Sequence, residues 1–364
     1  MKILNLKLLN FRNYEKLELE FNPSKNIIIG KNGMGKTNIV EAIYVLAFSK
    51  SFRGSKDDIL IRNNCDLTRI EGNILDNDSN NYKIIIKKNE KKVKINNTNI
   101  SKLSDYLSKI NVILFNSEDL KLIKDTPNTR RKLINIELSQ FSNDYLKLLN
   151  VYNKVLKQRN MYLKSLYLNG NSSKEYLNIL TDQVIEIGLK IHQYRLDFIN
   201  KLSKYISNNY LKITGIKNLK FIYKSDYNNK TKEDLIKVYK REENRDIVLG
   251  KTNIGVHRDD YEFEINGLNM KDFGSEGEQK NCIISLKMAE IDVFKEEKNK
   301  VPILILDDLF SELDEIKINN IIKFISDDVQ TFITTTELDK VCKELTNNSK
   351  IFEIDNGIVK EGNK

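Results

Sequence analysis

Tryptophan is absent from the 364 residues, proline and cysteine occur three times each, and histidine twice. Each scarcity excludes something. Cys65, Cys282 and Cys342 are odd in number, far apart and in no metal-ligand spacing, which argues against a disulfide framework or zinc site and suits a reducing compartment. With Pro only at 23, 127 and 302, punctuation falls to Gly and Asn clusters, and no low-complexity linker divides the chain. No stretch reaches the ~18 consecutive apolar residues of a membrane helix. The opening MKILNLKLLNFRNYEKLELEF lacks an uninterrupted apolar h-region and a small-residue cleavage site, so it does not read as a signal peptide. Leu17, Leu19 and Phe21 alternate there as in a half-buried strand. A cytoplasmic protein without a membrane partner is expected.

What is present is ordinary for a chain with a core: 40% hydrophobic and 30% charged residues. The net charge is +9, from 60 Lys and Arg against 51 Asp and Glu. A basic balance suits DNA, because each phosphate contact releases counterions. Lys is spread along the whole chain together with Asn and Ile, however, so charge alone marks no site.

Strand patterns fall near 2–9, 15–21 and 27–30, a helix near 36–48, and strands near 69–75, 82–88 and 93–96. From Pro127, with Thr126 as N-cap, a helical pattern runs to about 168, carried by Leu133, Leu138, Leu146, Leu149, Tyr152, Leu156 and Leu163. Residues 169–173 (NGNSS) break it, and a second helical run covers 174–212. Two such helices would form an antiparallel arm about 60 Å long. Strand signals return after 245. Val301–Leu306 is a nearly unbroken apolar run, as in a parallel strand covered on both faces, with a helix near 314–326 and a strand at 330–335. The expected fold is α/β: a head with a mixed sheet and flanking helices, built from 1–115 and 246–364. The helical arm, 116–245, is inserted between them.

Three motifs carry chemistry. Gly30, Lys31, Asn32, Gly33, Met34, Gly35, Lys36 and Thr37 spell G-x-x-x-x-G-K-T between an apolar strand and a helix. The glycines let backbone N–H groups curl around phosphates at a helix N-terminus; Lys36 is expected exposed, reaching the β- and γ-phosphates, with the Thr37 hydroxyl on Mg²⁺. This reads as an ATP site. The strand Ile303–Leu306 ends in Asp307, suited to Mg²⁺, and Asp308, suited to polarising the attacking water. Ser311–Asp314, just after, also passes as a helix N-cap. Ser275-Glu276-Gly277-Glu278-Gln279 heads a helical run (Cys282–Phe294), where Ser275, Gly277 and Gln279 offer a hydroxyl, a bare backbone and an amide to an anion.

The order of these motifs is similar to that of ABC-type ATPases. Asn10-Phe11-Arg12-Asn13-Tyr14, the P-loop, Ser51-Phe52-Arg53, Glu118-Asp119-Leu120, Pro127 with Arg130-Arg131, and Gln158-Arg159-Asn160 follow in turn. With His257-Arg258-Asp259-Asp260, the Ser275 signature and Asp307-Asp308, they make the chain resemble the RecF family from end to end. The resemblance implies an SMC-like head that dimerises around two ATP molecules, each completed by the signature of the other subunit. It implies binding to single-stranded, gapped and duplex DNA, slow DNA-dependent ATP hydrolysis, and work with RecO and RecR to load recombinase. Glu118 is a second candidate catalytic carboxylate, and Asn116 stands where SMC-like heads carry a Mg²⁺-contacting Gln. Arg53, Arg130 and Arg131 are candidate sensors of DNA or nucleotide, with a phosphate or acidic partner expected for the two that open the arm helix. His257–Asp260 reads equally as a site element or a salt-bridged turn, and His192 as structural.

The chain departs from the family pattern at Ser117, Asn135 and Val256, and in its signature, S-E-G-E-Q-K, whose Glu276 and Glu278 bring carboxylates near a partner's γ-phosphate. Two other readings compete. The nucleotide-binding subunit of an ABC transporter would also carry the three motifs but needs no two-helix insertion. A structural SMC-like tether would need far longer heptad runs.

Overall fold

The computed structural model describes residues 1–54, 56–169, 173–336 and 349–362. The chain divides into two compact units, one of Met1–Lys121 with Ile283–Lys364, the other Leu122–Cys282. The middle unit therefore extends beyond the expected limit at 245.

In the first unit the chain runs β1 (Lys2–Phe11), β2 (Tyr14–Glu20), β3 (Lys25–Ile29), α1 (Lys36–Phe48), β4 (Leu67–Leu75), β5 (Ser79–Lys87), β6 (Glu90–Ile95), β7 (Thr98–Asn99) and β8 (Val112–Asn116). Strands β2-β1-β4-β5-β6-β7 form an antiparallel sheet in that order. One face is apolar: Ile70 and Ile74 of β4, and Tyr82, Ile84 and Ile86 of β5, alternate with exposed or half-buried neighbours. α1 is buried on nearly all sides, because NIVEAIYVLAF is apolar all round, and it joins the same core.

The middle unit holds α2 (Pro127–Phe141), α3 (Asn143–Asn169), α4 (Lys174–Thr214), β9 (Leu219–Lys224), α5 (Lys232–Leu249), β10 (Asp260–Ile265), β11 (Leu268–Asn269) and α6 (Met270–Phe273). The single helical run expected over 127–168 is two helices. Ser142 takes an extended conformation (φ −141°, ψ 116°) and splits them. Thr126 is the N-cap residue of α2, but its side chain makes no capping bond. Of the expected break at 169–173, residues 170–172 lie outside those described; Ser173 caps α4 through Glu175 N. β9 pairs with β10 and β10 with β11, which keeps residues 219–269 in this unit. Its interior is strongly polar. Arg159 Nη1 donates to Asp246 Oδ2 at 2.8 Å and Thr252 Oγ1 at 2.6 Å. Arg195 Nη1 donates to Asp259 Oδ2 at 2.5 Å, its Nη2 to Asn135 Oδ1 at 3.0 Å. Such groups are buried only when paired.

α7 (Glu276–Lys298) begins in the middle unit and ends in the first. The first unit then closes with β12 (Ile303–Asp307), α8 (Glu315–Phe324), β13 (Thr331–Thr335), β14 (Ser349–Asp355) and β15 (Ile358–Gly362). The second sheet of this unit has the order β15-β14-β3-β13-β12-β8, parallel throughout except at β15. Every residue of β12 and β13 is buried, as expected of central strands covered on both faces. Among the described residues no helix is long and apolar enough to cross a membrane.

Candidate nucleotide site

β3 and α1 flank the Gly30–Thr37 loop, so the phosphate-binding pattern has the strand and helix it needs. Two of its glycines are forced. A Cβ at Gly30 would sit 2.5 Å from the Ile354 carbonyl oxygen. Gly35 has φ +114°, and a Cβ there would meet Asn13 Nδ2 at 2.6 Å and Tyr14 Oη at 2.8 Å. The residues 13 and 14 that crowd it also hold the loop: Asn13 Nδ2 donates to Met34 O at 3.3 Å and Tyr14 Oη to Gly35 O at 3.2 Å. Asn38 Nδ2 completes the brace by donating to Asn13 Oδ1 at 2.7 Å.

Lys36 is not exposed as expected. It is 6% exposed, and its Nζ donates to the carbonyls of Gly30 (2.6 Å) and Lys31 (3.0 Å). Burial pulls its pKa below the usual lysine value, while Asp308 and Asp307 oppose that shift. The ammonium is thus pre-placed inside the loop it would share with a phosphate.

The two acids lie at the C-terminal end of a parallel strand, where α/β sheets bind ligands. Asp307 is buried, and burial raises its carboxyl pKa against hydrogen bonds from Thr334 and Thr37. The Thr334 hydroxyl donates to Asp307 Oδ1 at 2.7 Å and accepts from Asp308 N at 2.9 Å. Asp308 has φ +50°, a left-handed conformation unusual for a residue with a Cβ and found at functional turns. Asn32, Gly33, Gly35, Lys36, Thr37, Asn38, Arg53 and Asp308 line one cleft of ≈ 220 Å³. The loop and the acid-tipped strand, far apart in sequence, therefore meet in one site.

No group of three or more His, Cys, Asp or Glu suited to a cation exists among the described residues. The Thr37 hydroxyl, which lines the cleft, and the Asp307 carboxylate hydrogen-bonded to it are both oxygen donors. That pair fits Mg²⁺, which takes one or two protein oxygens and completes its shell with phosphates and water. Asn116 faces Asp307 in the β8–β12 register, and its side chain accepts from Asp119 N at 3.0 Å.

Other expected residues fall elsewhere. Glu118 follows β8, is largely exposed, pairs with Lys121 at 3.0 Å and does not line the cleft. Arg130 is 4% exposed and fully engaged: Nε and Nη2 grip Asp260 at 2.7 and 3.0 Å, and Nη1 donates to the carbonyls of Leu122, Ile123 and Asp125. Asp260 is an acidic partner of the kind expected for a cation that opens this helix. Its Nη1 bonds close the turn that opens α2. Arg131 Nη1 donates to Asp259 O at 2.7 Å while the residue stays part-exposed. His257–Asp260 is the salt-bridged turn of the two readings. His257 Nδ1 pairs with Tyr152 Oη (2.8 Å), its Nε2 with Thr252 O (3.0 Å), and the two aspartates are taken by Arg195 and Arg130.

In the middle unit, Ser275 starts α7 with a reciprocal cap: its N and Oγ both donate to Glu278 Oε2 at 2.8 Å, and Glu278 N donates back to Ser275 Oγ at 3.3 Å. Those bonds hold the Glu278 carboxyl below its usual pKa. Glu276 turns instead to Lys280 at 2.8 Å. Gln279 is buried, donating to Met270 O and Gly274 O. A Cβ at Gly277 would meet nothing within 4 Å, so the chain's own packing does not demand a glycine there.

The family model described as the RecF/RecN/SMC N-terminal domain matches residues 2–360. A curated relative, the DNA replication and repair protein RecF of Ligilactobacillus salivarius (strain UCC118), is 41% identical over 372 residues, spanning 100% of this chain and 98% of its own. The chain belongs to the RecF family. The solved structure of the recombination mediator protein RecF-ATPrS in the RecFOR pathway superposes with a TM-score of 0.91 at 29% identity, covering 99% of this chain and 97% of that one. An Smc head bound to the C-terminal winged-helix domain of ScpA matches with a TM-score of 0.57 at 17% identity, over 100% and 97% of the two chains, and shares the fold alone. The RecF fold is thus an ABC-type ATPase head with the helical insertion read from the sequence.

Sequence reasoning missed Glu41, Asn38 and Thr334. Glu41 could have been noticed, because it is the one acid inside the apolar run of α1.

Proposed function

We propose that this RecF-family chain is an ATP-dependent DNA-binding protein of recombinational repair and replication-fork maintenance. It binds single-stranded and gapped DNA as an ATP-gated dimer, hydrolyses ATP slowly, and helps RecO and RecR load recombinase. The observation that carries the reading is the convergence of the phosphate loop and Asp308 in one cleft, with Asp307 hydrogen-bonded to the loop's Thr37. Full-length similarity to RecF proteins supports the repair setting.

ATP is the substrate. Backbone N–H groups of residues 33–37 and the Lys36 ammonium bind its phosphates, and Thr37 with Asp307 would hold Mg²⁺, which supplies charge neutralisation on the phosphates. Asp308 orients the attacking water and accepts its proton. Ser275 and the start of α7, from a second copy, close over the γ-phosphate and shield it from bulk water. Lys36→Ala tests the reading. Gapped-DNA affinity should be higher with ATP than with ADP in the wild type, and the variant should lose both this difference and ATP binding in equilibrium dialysis. Unchanged ATP affinity in the variant would sink the assignment of the loop.

A further inference from the structure

Arg53 is the cation of the cleft that no helix or strand carries: it lies in the turn after α1, beyond Ser49, which ends that helix in a left-handed conformation. A side chain as long as arginine's loses about 2 kcal/mol of rotamer entropy when fixed, so something must hold it if it is to serve a ligand. Glu41 and Asn38, three residues apart and hence on one face of α1, do so. Arg53 Nη1 donates to Asn38 Oδ1 at 3.2 Å and lies 3.5 Å from Glu41 Oε2.

Glu41 is fully buried. Its carboxylate is gripped by Arg12 through Nε at 3.0 Å and Nη2 at 2.6 Å, and by the Ser51 hydroxyl at 2.5 Å. The same Ser51 oxygen accepts from Arg53 N at 3.0 Å, which fixes the backbone of the turn as well. Arg12 satisfies the buried carboxylate by itself, since a bidentate guanidinium pair is the strongest partner available. The second guanidinium is surplus to that pair: one carboxylate faces two cations, and the charge of Arg53 also reaches Asp307, whose pKa it lowers. Among the described residues both side-chain partners of Arg53 take Nη1, which leaves Nε and Nη2 as donors.

We propose that Glu41 is a positioning residue that, with Ser51, anchors Arg53 by one nitrogen and so presents its remaining donors to a phosphate of ATP in the cleft. This rests on the proposed ATPase function and adds a residue that never touches the nucleotide. It also gives Arg12, whose Nη1 donates to Ile59 O and whose N donates to Leu60 O, a tie between this cluster and the segment after the turn.

The test is a double-mutant cycle read on kcat/KM for ATP in the full-length protein, with melting temperature measured alongside. Glu41→Gln should lower kcat/KM about tenfold, as displacement of a positioned group does. In the Arg53→Ala background the same change should cost less than about twofold, because the residue it acts through is gone. An equal loss in both backgrounds would mean that Glu41 only supports the fold through Arg12, and would overturn the inference. Should Glu41→Gln fail to fold, Ser51→Ala replaces it in the same cycle; a loss independent of Arg53, or none in the wild type, is equally fatal. If instead the wild type binds no ATP that Lys36→Ala abolishes, the ATPase reading itself fails, which is a separate result.

Discussion

The Thr334 hydroxyl sits between two consecutive acids, donating to the Asp307 carboxylate at 2.7 Å while accepting the Asp308 backbone N–H at 2.9 Å. Parallel pairing of β12 with β13 sets Asp307 opposite Thr334, so the strand register creates the contact. One side chain thereby stabilises the ionised form of Asp307 against burial and holds the left-handed turn at Asp308.

Thr334→Val keeps the shape and deletes the hydroxyl. Asp308 N then loses its partner and Asp307 loses a donor, at a cost of about 1–3 kcal/mol of stability. ATP turnover should fall about tenfold or more as both acids shift. Chemical denaturation and a steady-state ATPase assay check the two effects; a variant with wild-type turnover would show that the hydroxyl is structural only.

Asp308→Asn should bind ATP normally and hydrolyse it on the order of 10²-fold more slowly, because the amide cannot accept the water's proton. The expected consequence is a DNA-bound dimer that outlives its wild-type counterpart. Single-turnover hydrolysis and DNA dissociation rates measure this. Normal turnover would move the role elsewhere, with Glu118 the next carboxylate to change, although its exposure and its pairing with Lys121 argue against it.

Part of this site was legible in the sequence. The loop, the acid-tipped strand and the signature are contiguous, and each carries its own flanking evidence. Thr334, Asn38 and Glu41 act through register or helix-face neighbours, which no local pattern reveals. The same holds in the middle unit. Arg130 opens a helix and so calls for a phosphate or acidic partner, but no local pattern points to Asp260, 130 residues away in sequence. α5 and β9 were missed in a Lys-rich stretch, although Leu219, Phe221 and Tyr223 alternate as a strand should. The break at Ser142 has neither Gly nor Pro to announce it.

Both histidines are held neutral. Burial lowers the pKa of His257 to about 4 and also lowers that of His192. A lowered histidine pKa means that the unfolded chain binds the proton first. Stability from His257 is complete above about pH 6.5 and is lost as pH falls towards 4, by up to about 3 kcal/mol. Glu290 acts in the opposite sense: burial raises its carboxyl pKa, with Lys287 opposing, so its contribution is greatest in acid and is lost as pH rises. His257→Gln keeps an acceptor for Tyr152 and cannot titrate. Between pH 7 and 5.5 it should lose less stability than the wild type in urea titrations. Parallel pH slopes for the two proteins would show that His257 is not held neutral.

One chain carries one phosphate loop and one Ser275 signature, and in the ABC arrangement the signature serves the nucleotide of another copy. Gly277 is consistent with that use, since nothing in its own chain approaches the space a Cβ would fill. The protein should therefore be monomeric without ATP and dimeric with it. Mixing a Lys36→Ala chain with a Ser275→Arg chain separates this from hydrolysis within one subunit. Each homodimer has two defective sites, whereas the mixed dimer pairs the intact loop of one chain with the intact signature of the other, restoring one site. ATPase activity should appear only on mixing. Glu278 should set the threshold for dimerisation, because its carboxylate already occupies the Ser275 N–H and hydroxyl. Glu278→Gln removes that charge and should lower the ATP concentration for half-maximal dimerisation several-fold, as loss of a charge-assisted competitor would. Glu276→Gln, whose native carboxylate is turned to Lys280, should change it less. Sedimentation at micromolar protein with gapped DNA measures all three; the same monomer with and without ATP would refute the composite site altogether.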